Sequence, residues 1–184
     1  MDPHALSQAQ QVATDVLANV SADRMDRPTP CANWNLGQLI DHLVGAQKWA
    51  SGGITGGEME GAEGVCEGDF QAAFAEAAQA TLDAFNEDGA MDRTVNPGFG
   101  DMPASALLGL AVTDTLTHAW DVARATGQNT DLAPELYEQV LASAHQAIPQ
   151  SFRTEDGSLF GPEQPAPENA DNATRLAAFL GRRV

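Results

Sequence analysis

The sequence predicts an all-α protein: a four-helix bundle with additional short helices and long loops. Three observations carry this. Apolar residues recur at helical spacing in four long segments. Alanine is abundant and β-branched residues are scattered, which favours helix over strand. Proline- and glycine-rich stretches separate the periodic segments. The chain has 184 residues, of which 43% are hydrophobic, enough for one domain, residues 1–184, with a real core.

The first helix is expected from about Pro3 to Val20, with Ala5, Val12, Val16, Leu17 and Val20 on its apolar side. Two prolines in Arg27-Pro-Thr-Pro-Cys-Ala-Asn-Trp34 then interrupt helix. A second helix starts after Asn35, a good N-cap with Gln38 three residues on, as in a capping box. Leu36, Leu39, Ile40, Leu43, Val44 and Trp49 supply its buried side. Ser51-Gly-Gly53 and Gly56-Gly57 end it, and the acidic stretch to Gly68 reads as a mobile loop.

Asp69 caps a third helix that runs to Asn86. The turn-rich Asn96–Pro103 connector leads into a fourth helix, Pro103 to Thr126, with Pro103 in its first turn and Gly127 as its stop. A fifth helix follows from Pro134 to Ile148, ended by Pro149. Residues 149–169 are proline-rich and read as irregular wrapping chain. A short last helix spans about Ala170 to Leu180. Four long helices joined by substantial loops are what a bundle requires.

Composition excludes several functions. The net charge is −17 and Lys48 is the only lysine, so nucleic acid and an anionic membrane surface are both disfavoured partners. No apolar run reaches the ~18 residues of a membrane span. Met-Asp-Pro-His lacks the basic start and apolar block of a signal peptide. Cys31 and Cys66 are the only cysteines and form no CxxC pair, which suggests two free thiols and a reducing cytoplasm.

The chemistry-bearing residues lie on the second and fourth helices. Asp114 and His118 are one turn apart, on a face that also carries Leu107, Leu110, Ala111, Val122 and Ala125. A carboxylate and an imidazole on a core-facing stripe must be neutralised, hydrogen-bonded or metal-bound. His42 sits in Leu39-Ile-Asp-His-Leu-Val44. If the two helices are neighbours, His42 faces Asp114 and His118, and bundles build metal sites in this way. The plainer reading is a hydrogen-bonded core histidine and a side-chain pair along one helix.

Thr29-Pro-Cys-Ala-Asn-Trp34 with Leu39-Ile-Asp-His42, then Asp114-x3-His118-Ala-Trp-Asp-Val-Ala-Arg-Ala-Thr-Gly127, resembles the DinB-like superfamily. More closely, it resembles actinobacterial metal-binding proteins related to the N-terminal domain of mycothiol-dependent maleylpyruvate isomerase. Phe160-Gly-Pro and the Arg175–Arg182 ending fit the same group. The resemblance implies a DinB-like bundle holding a divalent metal, often zinc, through His42, Asp114 and His118. The isomerase has a glutamate where this chain has the shorter Asp114.

Other residues are weighed on their own positions. Asp121, three after His118, is expected to orient that imidazole or to fix a neighbouring segment. Trp34, Trp49 and Trp120 are expected as core or cleft wall. Cys31, after a proline in the connector before the second helix, is read first as a small buried filler, with an approach to the site as the alternative. His145 is expected at the surface. Arg182 is a candidate for binding a substrate carboxylate, since its planar fork meets two oxygens; a charge near a helix C-terminus is the equal alternative.

Two functions follow from different classes. One is an enzyme in which zinc activates a low-molecular-weight thiol, mycothiol by the resemblance, for S-transfer or isomerase-like addition to an electrophilic carbon. The isomerase carries a further C-terminal domain, and this chain ends after the bundle, so transfer to another electrophile is expected over maleylpyruvate isomerisation. Water in place of thiol would give a metal-dependent hydrolase. The other is a non-catalytic metal- or small-ligand-binding bundle. An open metal position beside a cleft separates them. A homodimer is the oligomeric state the resemblance suggests.

Overall fold

A computed structural model describes residues 1–154 and 160–184. Its helices are α1 (Pro3–Leu17), α2 (Leu36–Thr55), α3 (Phe70–Asn86), α4 (Ala104–Thr126), α5 (Pro134–Ala147) and α6 (Asn172–Phe179). The protein is all-α apart from a two-stranded antiparallel ribbon, β1 (Thr94–Val95) and β2 (Met102–Pro103). Helices α1 to α4 form the bundle: α2 packs on α3 and α4, and α1 packs on α4 and α3. α5 and α6 pack on each other and cover part of α4.

The helix ends follow local chemistry closely. The Asn35 side chain accepts from the Gln38 N–H, and the Gln38 side chain accepts from the Asn35 N–H. Asp69 caps α3 through the Ala72 N–H, and Gly127 ends α4 in the left-handed region at φ 74°. Replacing Asn35 with alanine is expected to cost about 1 kcal/mol. A lower urea midpoint at unchanged m would show it.

Five expectations need correction. α1 stops at Leu17, because Asn19 turns its amide onto the Asp15 carbonyl and competes with the next turn. Pro103 precedes α4 as its N-cap in the ribbon instead of lying in the first turn. α5 ends at Ala147, and α6 begins at Asn172, where the Asp171 carboxylate accepts from the Thr174 N–H. Gly52 and Gly53 are buried inside α2 and do not end it; Gly56, at φ 72°, does. A Cβ at Gly52 would run into the Glu58 carbonyl, and one at Gly53 would press on Leu107, so these glycines permit close packing.

The acidic loop after α2 is pinned rather than free. The Asp41 carboxylate accepts from the N–H groups of Gly64 (2.8 Å) and Cys66 (2.7 Å). Of the wrapping segment expected over 149–169, residues 155–159 lie outside the described residues. Beside them, Arg153 donates to the carbonyls of Gly161 and Phe179 and ties this segment to α6.

The bundle's register is held by a buried polar chain across all four helices. Gln10 donates to Gln47 (2.8 Å) and to the Ala78 carbonyl (2.9 Å). Gln47 donates to Thr115, and Thr81 donates to the Gln47 carbonyl, both at 2.8 Å. Every member is satisfied, so the network fixes the sliding of α2 against α4. That register sets His42 opposite Asp114. Among the described residues no helix is long and apolar enough to cross a membrane.

Candidate metal centre

His42 on α2 and the Asp114–His118 pair on α4 meet in space. His42 Nε2 lies 3.1 Å from Asp114 Oδ1, and His118 Nε2 lies 3.5 Å from the same oxygen. The two imidazoles are 4.6 Å apart at centroids, nearly perpendicular. All three residues offer ligand atoms within 4.8 Å of one another. Asp114 Oδ2 is buried with no hydrogen-bond partner among the described residues. Tetrahedral zinc, with bonds of about 2.0–2.2 Å, separates its ligand atoms by about 3.3 Å. The observed 3.1 and 3.5 Å, both measured to Oδ1, bracket that spacing, and Oδ2 of the same carboxylate is left unengaged by the described residues. These residues fit a divalent ion.

Asp121 lies beneath His118. Its side chain is fully buried, and Oδ2 stands 3.0 Å from His118 Nδ1. Burial raises the Asp121 pKa, but Arg182 and His118 outweigh it and hold the carboxyl below the usual range. An ionised carboxylate only accepts, so Nδ1 carries the proton and Nε2 is turned toward Asp114. Arg182 reaches Asp121 from the segment after α6, with Nη2 3.0 Å from Oδ2 and Nε 3.3 Å from both oxygens. Its Nη1 donates to the Leu180 carbonyl. The fork expected for a substrate carboxylate is therefore engaged by the protein's own. Both readings weighed for Asp121 apply together: it contacts the imidazole and anchors the C-terminal segment.

The charges at the centre reinforce one another. Burial opposes ionisation of Asp114, yet His118 and His42 more than offset it and hold the carboxyl far below its ordinary range. Burial likewise opposes a charged His118, and Asp114 and Asp121 outweigh it and raise its pKa.

The connector before α2 brings two residues to the centre. The Thr29 hydroxyl donates to the Trp34 carbonyl (2.8 Å), within a turn where the Trp34 N–H bonds the Cys31 carbonyl. This sets the Trp34 ring 4.4 Å from His42 and 5.5 Å from His118, as a wall. Cys31 also lies beside the site: its thiol, His118 and Asp121 place ligand atoms within 4.8 Å of one another. Of the two readings of Cys31, the structure has the approach to the site. Burial pushes the Cys31 thiol pKa up, and Arg182 already supplies the cation facing Asp121 there. Trp120 is core, Trp49 donates to the Pro97 carbonyl, and His145 is exposed against Phe179.

A cleft of about 660 Å³ opens on the His42 and Asp114 side. Trp34, Ala46 and Trp49 form one part of its wall, and Met59, Ala62 and Glu63 of the pinned loop another. Nothing in the local pattern of the acidic loop pointed to this; the signal is the Asp41 carboxylate next to His42, which folds the loop back.

The fold and site define an α-helical bundle in which two imidazoles and a carboxylate converge from adjacent helices. The chain belongs to the family described as mycothiol maleylpyruvate isomerase N-terminal domain, which it matches over residues 6–123. That span takes in His42, Asp114, His118 and Asp121 and leaves out α5, α6 and Arg182. The chain is also 40% identical, over the full length of both partners, to an uncharacterized protein of Mycobacterium tuberculosis found in strains CDC 1551 / Oshkosh and ATCC 25618 / H37Rv. No solved structure matches.

Proposed function

We propose that this protein binds a divalent metal, zinc, through His42, Asp114 and His118, and acts as a thiol-dependent S-transferase. The low-molecular-weight thiol is mycothiol, the thiol in the family's description. The observation that carries this reading is the convergence of the three side chains at the edge of an open cleft. Three protein ligands with a position left to solvent are the pattern of catalytic zinc. A bound zinc ion supplies a site at which a thiol loses its proton below its free pKa.

The chain's own residues do the rest. His42 and His118 present neutral ring nitrogens, and Asp114 supplies the negative charge. Asp121 keeps the His118 proton on Nδ1, and Arg182 keeps Asp121 ionised and in place. Trp34 and Trp49 border the cleft, shield the centre from water and hold an acceptor near it. The free thiols of Cys31 and Cys66 suit a reducing cytoplasm.

The test is metal content together with a mycothiol titration, in the wild type and in His118→Ala. Wild type should hold about one zinc per chain and bind thiol only when loaded. Loss of an outer partner alone costs about 10–100-fold in metal affinity, so His118→Ala should lose more than that. Thiol binding that is unchanged in the variant would refute the reading.

A further inference from the structure

The charges around the cleft restrict what can enter it as the thiol's acceptor. Its ionisable lining is Asp41, His42, Glu60, Glu63 and Asp114, with no lysine or arginine among the described lining residues. The Asp41 carboxylate accepts from two backbone N–H groups, which fix it in the wall of the cleft. Lys48, the cation beside this wall, is 3.6 Å from Glu60 and is balanced by it. Arg182 lies behind His118, engaged by Asp121. A carboxylate or phosphate on the acceptor would therefore find no guanidinium or free ammonium, and would face Asp41 and Glu63 instead. A divalent ion held by Asp114 and two neutral imidazoles would keep one positive charge, which the bound thiolate of the S-transfer reading would meet.

The apolar part of the cleft is equally specific. Trp34 stands over the two imidazoles, and Trp49, stacked with Phe99 at 6.1 Å between centroids, forms the far wall. Met59 (43% exposed) and Phe99 (65% exposed) extend this apolar surface outward to the rim. Large exposed apolar side chains grouped at a cleft mouth mark a ligand surface. Indole faces also attract cations.

Building on the S-transfer reading, we infer that the acceptor is an apolar or aromatic electrophile without carboxylate or phosphate groups, and that any charge it carries is positive. Its body lies between Trp34 and Trp49, with the electrophilic carbon toward His42 and Asp114. For an unsaturated ketone the balance is simple. The thiol sulfur forms a bond to the β-carbon, the carbon–carbon π pair moves to the α-carbon, and the thiol's proton ends there. No oxidant or reductant is consumed.

Two matched series test this with the zinc-loaded full chain. The first is 4-phenylbutan-2-one, unsubstituted or with a para carboxylate or para trimethylammonium group. These saturated ketones cannot react, and calorimetry reads their binding alone. The second is the corresponding α,β-unsaturated ketones, which read thiol addition. The neutral and cationic ketones should bind at least about tenfold more tightly than the carboxylate, because facing like charges oppose it. Glu63→Arg, a change at an exposed position, should reverse the order for the carboxylate. Equal or tighter binding of the carboxylate by wild type, or no binding of any ketone, overturns the inference. If the binding order holds and no unsaturated ketone is turned over, the S-transfer reading fails while the cleft's selectivity stands. Turnover led by the carboxylate has the opposite meaning.

Discussion

Arg182→Met is expected to lower the unfolding free energy of the metal-free protein by about 3 kcal/mol, which for a domain of this size is about 6–12 °C in Tm. The reason is the carboxylate it would abandon. Asp121 has no exposed side-chain surface, and Arg182 contacts both of its oxygens. Removing one partner of a buried pair costs about 3–5 kcal/mol because the other charge stays behind. His118 remains beside Asp121 and keeps the loss at the lower end. Asp121→Asn combined with Arg182→Met should cost less than the sum of the single changes, which shows coupling between them. A loss in Arg182→Met under about 0.5 kcal/mol, the range of ordinary surface substitutions, would mean that the pair does not hold the C-terminal segment.

The same prediction has a pH signature. Asp121 titrates lower in the folded protein than in the unfolded chain, where an aspartate pKa is about 3.9. Its contribution is present above that value and is lost as pH falls through the folded pKa. The gap between wild type and Arg182→Met should therefore be full at neutral pH and narrow in acid. The backbone explains why Arg182 reaches so far inward. Gly181 turns at φ 98° against Gly161, and a Cβ there would meet the Gly161 backbone at 2.7 Å. Only glycine at 181 lets the chain bend closely enough to aim Arg182 at α4.

The parts of this architecture legible in the sequence are those decided within a turn or two of helix. The Asn35–Gln38 capping box, the Asp69 cap and the Gly127 stop depend on neighbouring backbone groups, and each lies where the pattern placed it. The Asp114–His118 and His118–Asp121 contacts follow from one-turn spacing along α4. Contacts across the fold were legible only conditionally, as with His42 if the second and fourth helices are neighbours, or through resemblance, or not at all. His42 meets Asp114 across 72 residues, in a register fixed by Gln10, Gln47 and Thr115, which no local pattern singles out. Gly52 and Gly53 read as helix breakers because their reason, the Glu58 carbonyl and Leu107, lies outside the helix. The sequence leaves Arg182 between a fork for a substrate carboxylate and a charge near a helix end because its partner is 61 residues away. It leaves Cys31 between filler and an approach to the site because the nearness of Cys31 to His118 depends on how the connector folds.

Asp114 sets the second large effect. A ligand that binds only the folded state stabilises it by about 4 kcal/mol when present at 1,000 times its Kd. Zinc at that level should raise the wild-type Tm by about 8–16 °C. Asp114→Asn should show no such rise at the same zinc concentration. The amide keeps the size of the side chain but loses the negative charge, and its nitrogen has no lone pair to offer a metal where Oδ2 now stands unpartnered. His42, His118 and at most a neutral amide oxygen would then face the ion, and three neutral ligands hold it far less tightly than two with a carboxylate. Asp114→Glu makes the opposite test. It restores the acidic residue type found in the isomerase that the sequence resembles, one methylene longer. The exposed side of the centre, where the Asp114 side chain retains 29% of its surface, gives that length room. The glutamate variant should keep the thermal shift to within about 1.4 kcal/mol, a tenfold change in affinity. An asparagine variant that shifts as far as wild type would remove the carboxylate from the ligand set and leave the two imidazoles without their proposed role.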